Sequence, residues 1–401
     1  MGHSLVEMMA GCLPGPVVYR IGESLGSLAC TIMPRRRKMV LRNLRVAFAG
    51  EKSPTELREM VRQTFRRTGG NLISAAHTSS LSPAVLTEVI KIENFQLFQD
   101  AISQGKGVVL LLAHMGNWEV LSRMIHLFPQ GTKTGAFYRP LNNLLMDQRV
   151  LDRRQSDGTR MFSKGDNPLH VSAFLRAGGV VGILADQRAG HQGDPICFFG
   201  RQTRASPLPS LLARRAKSAV LALSVVTVEP GKWKAVFNPV ELPYSTKNCM
   251  EALEHAMKSS PVDVFWFQER WRIYLKPSYT IRDWLPSDAL RSQSGKHHRA
   301  VLWLFDAPDD WSPPQDWNHP DVDYEVVLPA GNHRPSWLRE SAVVYPAPDD
   351  GDCKSLRALI ARIDLAAAIP VDYILTCNAC PALVQASRKE LVRLISLPPS
   401  P

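Results

Sequence analysis

The chain of 401 residues has no run of roughly 18 uncharged apolar residues, so no segment announces itself as a membrane-spanning helix. Its seven cysteines are too few for a disulfide scaffold. Cys377 and Cys380 form a single C-x-x-C with no second pair and no histidines at ligand spacing, which gives no basis for a metal or redox centre. Internal repeats and low-complexity tracts are absent. No nucleic-acid motif is present either, and the basic residues are dispersed, so a nucleic-acid partner is not expected. With 45% apolar and 21% charged residues, the composition excludes collagen, coiled coil and wholesale disorder.

What the chain does have is an uneven charge. Residues 286–401 carry 11 Lys+Arg against 15 Asp+Glu, and residues 1–285 carry 37 against 22, so a net of −4 follows a net of +15. Two units with different partners are expected from such asymmetry. The first 33 residues are apolar, with only Glu7, Arg20 and Glu23 charged. Gly11, Pro14, Gly15 and Pro16 interrupt them, and there is neither the basic start nor the clear cleavage site of a signal peptide. Pro34-Arg35-Arg36-Arg37-Lys38 follows. An apolar segment followed by a basic cluster suits an anionic membrane surface. The competing reading is a buried N-terminal helix with a solvated basic face.

Ser53-Pro54-Thr55-Glu56 has the pattern of a capping box, so a helix is expected from Pro54 to about Gly69-Gly70 or a turn beyond. Gly107 to His114 and Gly178 to Asp186 are short apolar runs opened by glycines and closed by a polar residue, the pattern of strands buried on both faces. Ala219 to Val228 reads as a third strand and Trp233 to Val240 as a fourth, with a helix over 118–128 and Asn117 as its N-cap. The alternation predicts an α/β fold with a central mixed, largely parallel sheet flanked by helices. Residues 286–298 read as a linker, and 299–401 as a small acidic α/β unit. In such sheets, polar residues just beyond strand ends build the site, and His114 and Asp186 hold such positions.

His114-Met115-Gly116-Asn117-Trp118-Glu119 carries the chemistry. An imidazole at a strand end and a carboxylate in the first turn of the next helix can meet if Gly116 turns tightly. Glu119 would then fix the tautomer of His114, leaving the other nitrogen as a general base. No Ser or Cys precedes His114 at nucleophile-elbow spacing, so direct activation of a hydroxyl is expected rather than a covalent intermediate. The spacing alone has no weight: 11 histidines, each with about a 9% chance of an acid five places on, give about one accidental match. The strand before it and the helix after it are what single this segment out.

These residues resemble the H-x4-D/E block of the glycerolipid and lysophospholipid acyltransferase superfamily. The form H-x-G-N-W-E is similar to the lauroyl/myristoyl acyltransferases of bacterial lipid A biosynthesis. Further blocks agree in order: Pro34 to Phe48 with Leu41-Arg42-Asn43-Leu44, Tyr138-Arg139-Pro140-Leu141-Asn142-Asn143, Leu184-Ala185-Asp186-Gln187 with Phe198-Phe199-Gly200, and Trp266 to Trp271. The likeness spans roughly residues 15–283. It implies a domain over 34–285, preceded by a membrane-contacting segment over 1–33; the family does not usually carry the tail from about residue 299.

The resemblance further implies an O-acyltransferase without metal or cofactor. His114 would deprotonate an acceptor hydroxyl, Glu119 would hold it, and the oxygen would attack the thioester of an acyl-acyl carrier protein. Gly116, Asn117, Arg139, Asp186 and Gln187 would bind substrate. The acceptor would be a lipid A precursor or related glycolipid, at the cytoplasmic face of the cell inner membrane. Alternatives are a lysophospholipid or other glycolipid acceptor, or a non-catalytic module that binds lipid or acyl carrier protein. Trp266, Phe267, Arg270 and Trp271 suit either a membrane-interface edge or an aromatic core strand.

Overall fold

In the computed structural model, residues 13–271 and 298–396 are described, except 49, 139, 141, 142, 164, 191, 305–321, 330–333, 335, 337, 339 and 341. The proposed linker over 286–298 therefore lies outside the described residues but for His298. The chain divides into two compact units. The described residues of Met1–Val40, Glu59–Phe198 and Arg204–Arg270 form the first; those of Leu41–Arg58, Phe199–Thr203 and Trp271–Pro401 form the second.

Strand residues Val108–Leu112 are buried at all five positions, and Val180–Leu184 at all but the last. Runs so apolar on both faces belong in the middle of a covered sheet. The first unit is built on seven strands, with β1 (Ile90–Glu93), β2 (Val108–Leu112), β3 (Thr134–Tyr138), β4 (Arg160–Ser163) and β5 (Val180–Leu184) first in the chain. After β6 (Asp194–Phe198) and β7 (Arg201–Ala205), which form a separate two-stranded sheet, come β8 (Ala219–Glu229) and β9 (Lys232–Pro239). The spatial order is β1-β9-β8-β2-β5-β3-β4. Every pairing is parallel except β8 with β9, which are joined by the short turn Pro230-Gly231. The sheet is thus mixed and largely parallel, as expected. The expected helix over 118–128 is a 3₁₀ helix, Trp118–Leu127. Asn117 does not cap it; its side-chain amide donates instead to Thr78 Oγ1 at 3.1 Å.

Three helices open the chain: α1 (Gly15–Ile32), α2 (Pro34–Phe48) and α3 (Pro54–Ser80). The capping box is formed, with Ser53 N–H donating to Glu56 Oε2 at 2.8 Å and Glu56 N–H donating to Ser53 Oγ at 3.2 Å. Helix α3 runs through Gly69-Gly70 to Ser80 instead of stopping at the glycines. Those glycines serve packing. A Cβ on Gly69 would lie 2.2 Å from the Gly22 carbonyl oxygen, and one on Gly26 would lie 2.2 Å from that of Phe65. The backbones of α1 and α3 therefore touch. The face of α1 turned inward carries Val18, Tyr19, Gly22, Gly26 and Cys30. Its other face exposes Val17, Ile21, Leu25, Leu28 and Ile32.

The second unit holds β10 (His298–Trp303), β11 (Val322–Leu328), β12 (Val344–Pro346), β13 (Tyr373–Thr376) and β14 (Arg393–Ser396), in the order β12-β11-β10-β13-β14 and all parallel. Apolar clusters cover both faces, one centred on Leu302, Val326 and Tyr373, the other on Val301, Ile360 and Ile374. Residues from earlier in the chain complete it. Arg42 and Arg45 of α2 pair with Asp364, and Arg45 also donates to the Asp364 and Ala367 carbonyls at the end of helix Cys353–Leu365. Burial raises the Asp364 carboxyl, but Arg42 and Arg45 hold it below the usual range. Cys380 is the N-cap of helix Pro381–Glu390, its Sγ accepting from Leu383 N–H at 3.4 Å.

The α1–α3 contact leaves no room for a side chain. We expect Gly26→Val to cost about 1–3 kcal/mol of stability, whereas Leu25→Ala on the exposed face stays within about 0.5 kcal/mol of the parent. Urea denaturation of the two variants checks this.

Candidate active site

Strands β2 and β5 lie side by side with Leu112 opposite Leu184. Two residues further along each chain stand His114 and Asp186. The shared register brings them together: His114 Nδ1 is 2.6 Å from Asp186 Oδ1. The Asp186 side chain is wholly buried and that of His114 is 14% exposed. An ionised carboxylate only accepts, so Nδ1 carries the proton and Nε2 keeps its lone pair. Gln187 Nε2 lies 3.3 Å from His114 Nε2 and donates to it in that tautomer.

Asp186 is itself held. Arg270 Nη1 lies 2.8 Å from Asp186 Oδ2 and donates to the Asp186 carbonyl; Nη2 donates to the Phe265 carbonyl at 3.0 Å. Burial works against a charge on Asp186, but His114 and Arg270 outweigh it and keep the carboxyl well below the usual range. Arg270 is 1% exposed and its guanidinium lies over the Trp266 ring.

The residues before Arg270 hold the other side of the turn. Phe265 N–H donates to the His114 carbonyl at 2.7 Å, Gly116 N–H to the Asp263 carbonyl at 2.9 Å, and Met115 bridges Val264. Gly116 has φ +55, and a Cβ there would sit 2.2 Å from the Val225 carbonyl oxygen, so both backbone and space require glycine. Asp263 in turn accepts from Thr227 N–H and Thr227 Oγ1 at 3.0 and 2.7 Å, which ties the turn to β8.

The structure corrects the expected pairing of His114 with Glu119. The partner on Nδ1 is Asp186, while Glu119 accepts from Arg154 through both oxygens, at 3.1 and 2.6 Å, and from Trp118 Nε1 at 3.1 Å. The 3₁₀ helix aims Glu119 at helix Leu144–Gln155, which bears Arg154. Glu119 reaches the histidine only through Trp118, whose ring meets the His114 ring edge-on at 5.3 Å. Of the residues expected to bind substrate, Gln187 lies on the imidazole and Asp186 behind it. Gly116 shapes the turn and Asn117 is buried facing Thr78. Arg139 lies outside the described residues. The membrane-edge reading of Trp266, Phe267, Arg270 and Trp271 is also corrected: Trp266, Arg270 and Trp271 are buried and Phe267 is half-buried, and they lie in an irregular segment, not a strand. Arg270 as the brace of Asp186 was not readable from spacing, because 84 residues separate the pair. Asp186 was readable as a strand-end polar residue, since both groups follow the ends of apolar strands by two residues, but its bond to His114 was not.

Over the same sheet lies an apolar cleft, with about 690 Å³ of space counted together with open solvent. Its floor is one face of β2, β3 and β5; Trp118, Leu121 and Phe128 cover it, and Glu119 and Arg154 are its charged lining residues. The cleft meets the polar cluster near Trp118, so a long apolar group and an ester-forming carbon could be bound together.

Because the Asp186 carboxyl is depressed, its stabilising contribution is complete above the ordinary aspartate value of about 3.9 and is lost as pH falls through that value toward the depressed one. Asp186→Asn strands a buried guanidinium, at a cost of about 3–5 kcal/mol. We expect the stability gap between parent and variant, read by urea denaturation, to shrink as pH falls below about 4 and the parent's own carboxylate takes up its proton. A gap that does not shrink over that range contradicts the account.

Comparison with known proteins identifies the family. The family model described as bacterial lipid A biosynthesis acyltransferase matches residues 4–273. The lipid A biosynthesis lauroyltransferase of Escherichia coli (strain K12) is 30% identical over 222 residues, which is 54% of this chain and 70% of that protein. The lipid A biosynthesis palmitoleoyltransferase of the same organism is 23% identical over 269 residues, 65% of this chain and 86% of that protein. A phosphatidylinositol mannoside acyltransferase of Mycobacterium tuberculosis (strain ATCC 25618 / H37Rv) is 33% identical over 125 residues, 30% of this chain and 39% of that protein. With residues 4–273, two thirds of its length, matched by the family model, the chain belongs to the bacterial lipid A biosynthesis acyltransferases.

Proposed function

We propose that the protein moves a fatty acyl group from an acyl-acyl carrier protein to a hydroxyl of a lipid A precursor or related glycolipid. The observation that carries this reading is His114, its Nδ1 tied to a buried carboxylate and its ring edge-on to Trp118, which lines the apolar cleft. The acceptor hydroxyl takes the place of the Gln187 amide at Nε2 and gives its proton to that nitrogen. The alkoxide oxygen attacks the thioester carbon, a C–O bond forms, the C–S bond breaks, and the imidazolium returns the proton to the departing thiolate. Asp186 is a positioning residue: it fixes the tautomer and stabilises the imidazolium without taking the proton. Glu119 acts one step further out, holding Trp118 against the imidazole and Arg154 at the cleft mouth. No metal or cofactor is required by these steps.

The same protein works at an anionic membrane surface, at the cytoplasmic face of the inner membrane. Among the described residues no helix is long and apolar enough to cross a membrane. Helix α1 instead exposes Val17, Ile21, Leu25, Leu28 and Ile32 along one stripe, and Arg35, Arg36 and Arg37 follow, exposed, at the start of α2. An apolar stripe beside a basic cluster suits shallow burial among acidic headgroups, each basic residue contributing about 1 kcal/mol.

The first test is transfer from an acyl carrier protein thioester to a tetraacylated lipid A precursor, followed by mass spectrometry. His114→Ala should lose about 10²–10⁴-fold in kcat with the fold retained; undiminished turnover rejects the base assignment. The second is co-sedimentation with vesicles. Binding to vesicles rich in phosphatidylglycerol should exceed binding to pure phosphatidylcholine, and Leu25→Glu with Leu28→Glu should weaken it at least tenfold. Equal binding to both vesicles contradicts the electrostatic part of the reading.

A further inference from the structure

The turn that carries His114 is held by backbone contacts to Asp263, Val264 and Phe265, so its position is only as firm as that segment. One side chain anchors the segment. The Asp263 carboxylate is wholly buried. Its Oδ1 accepts from Thr227 Oγ1 at 2.7 Å and from Asn71 Nδ2 at 3.4 Å. Its Oδ2 accepts from Thr227 N–H at 3.0 Å and from Ser260 Oγ at 2.7 Å. Arg67 Nη1 stands 3.7 Å from Oδ1, beyond hydrogen-bond distance.

These contacts go further than the segment's own turn requires. Locally, Asp263 N–H donates to the Ser260 carbonyl at 3.0 Å and Ser260 Oγ donates back to Oδ2, which closes the 3₁₀ turn Pro261–Asp263. Thr227 belongs to β8 and Asn71 to α3, 36 and 192 residues away. Asn71 is itself fixed, because its Oδ1 accepts from the indole N–H of Trp233 at 2.7 Å. It follows Gly69-Gly70, where α1 crosses α3, and Tyr19 of α1 meets the Trp233 ring edge-on. A buried carboxylate is costly where an apolar side chain could fill the same space. What the carboxylate adds is direction. Four donors from β8, α3 and its own turn fix it, and the backbone from Asp263 to Phe265 then meets Gly116 and His114 in one place.

We infer that Asp263 is a positioning residue for acyl transfer: it anchors the segment whose backbone sets His114 against Asp186. The inference rests on the acyl-transfer reading above and adds to it a residue outside the reacting groups. Asp263 acts through its own carbonyl on Gly116 N–H and through Phe265 N–H on the His114 carbonyl. Without its carboxylate the turn shifts against β5, and the 2.6 Å contact between His114 Nδ1 and Asp186 is lost. A misplacement of about 1 Å costs about 10²-fold in rate, while groups that bind substrate elsewhere are untouched.

The test uses the full chain, an acyl carrier protein thioester and a tetraacylated lipid A precursor, with kcat expressed per folded molecule. Asp263→Ala should lower kcat about 10²-fold while KM for both substrates stays within about twofold. Asp263→Asn keeps an oxygen for Thr227 N–H and Ser260 Oγ, and should recover about tenfold of that loss. In nitrogen NMR of Asp263→Ala, the His114 imidazole should lose its preference for a proton on Nδ1. An unchanged kcat, a loss carried by KM, Asp263→Asn as slow as Asp263→Ala, or an unaltered tautomer overturns the inference. Thr227→Val removes one donor from Asp263 Oδ1 and supplies an independent reading should Asp263→Ala fail to fold. Its kcat should fall about tenfold at unchanged KM, and an unchanged kcat counts against the inference. A parent that transfers no acyl group fails the acyl-transfer reading itself, which is a different result from an active parent indifferent to Asp263. The NMR reading needs no turnover and tests the positioning role in either case.

Discussion

The register between β2 and β5 is the constraint on which the site depends. It carries two strand ends out of the sheet at the same height and so puts an imidazole against a carboxylate in a buried place. Such a carboxylate would be costly to leave charged. Here it is charged because His114 and Arg270 flank it, and Arg270 is in turn fixed to the backbone at Asp186 and Phe265. The chain from Asp263 to Arg270 thus does two things at once. It pins the His114–Gly116 turn through backbone bonds and braces the acid through a guanidinium.

This arrangement also explains the neighbourhood of the imidazole. On one side the site is polar and closed, with Asp186 and Arg270 almost without solvent access. On the other, the ring of Trp118 stands between the imidazole and an apolar cleft also lined by Glu119 and Arg154. The proposed base would need both surroundings. The proposed membrane contact rests on the α1 stripe and the arginines after it.

Much of the architecture was legible in the sequence. The uninterrupted apolar runs of β2 and β5 could only be covered strands, and the capping box at Ser53 marked the start of α3. Strands β3 and β4 were not legible: Thr134–Tyr138 and Arg160–Ser163 are short and only partly buried, so their patterns do not stand out from loop. The glycines of α3 misled for a physical reason, because Gly69 and Gly70 permit a close helix crossing instead of ending a helix. At the site, the turn around Gly116 and the histidine were readable, but the partner of the histidine was not. Local spacing favoured Glu119, five residues away, whereas the contact that forms is made across the sheet, 72 residues away. The aromatic block at Trp266 concealed Arg270 for the same reason, since its role appears only once β5 and the closing segment are folded together.

The second unit adds a point about the chain as a whole. Its sheet is completed by Arg42 and Arg45 from α2 and by Arg201, which pairs with Asp372, so segments distant in sequence contribute its charge partners. The acidic tail has specific basic partners within its own compact unit, which gives part of the charge asymmetry a structural origin.

The central claim is that Asp186 holds His114 with its proton on Nδ1, leaving Nε2 as the basic nitrogen. Nitrogen NMR of the imidazole side chains in the full chain, with His114 assigned by substitution, reads this directly. The account predicts that neutral His114 shows a protonated Nδ1 and a bare Nε2, and that Asp186→Asn removes this preference. A protonated Nε2 in the parent, or a tautomer indifferent to Asp186, would contradict it.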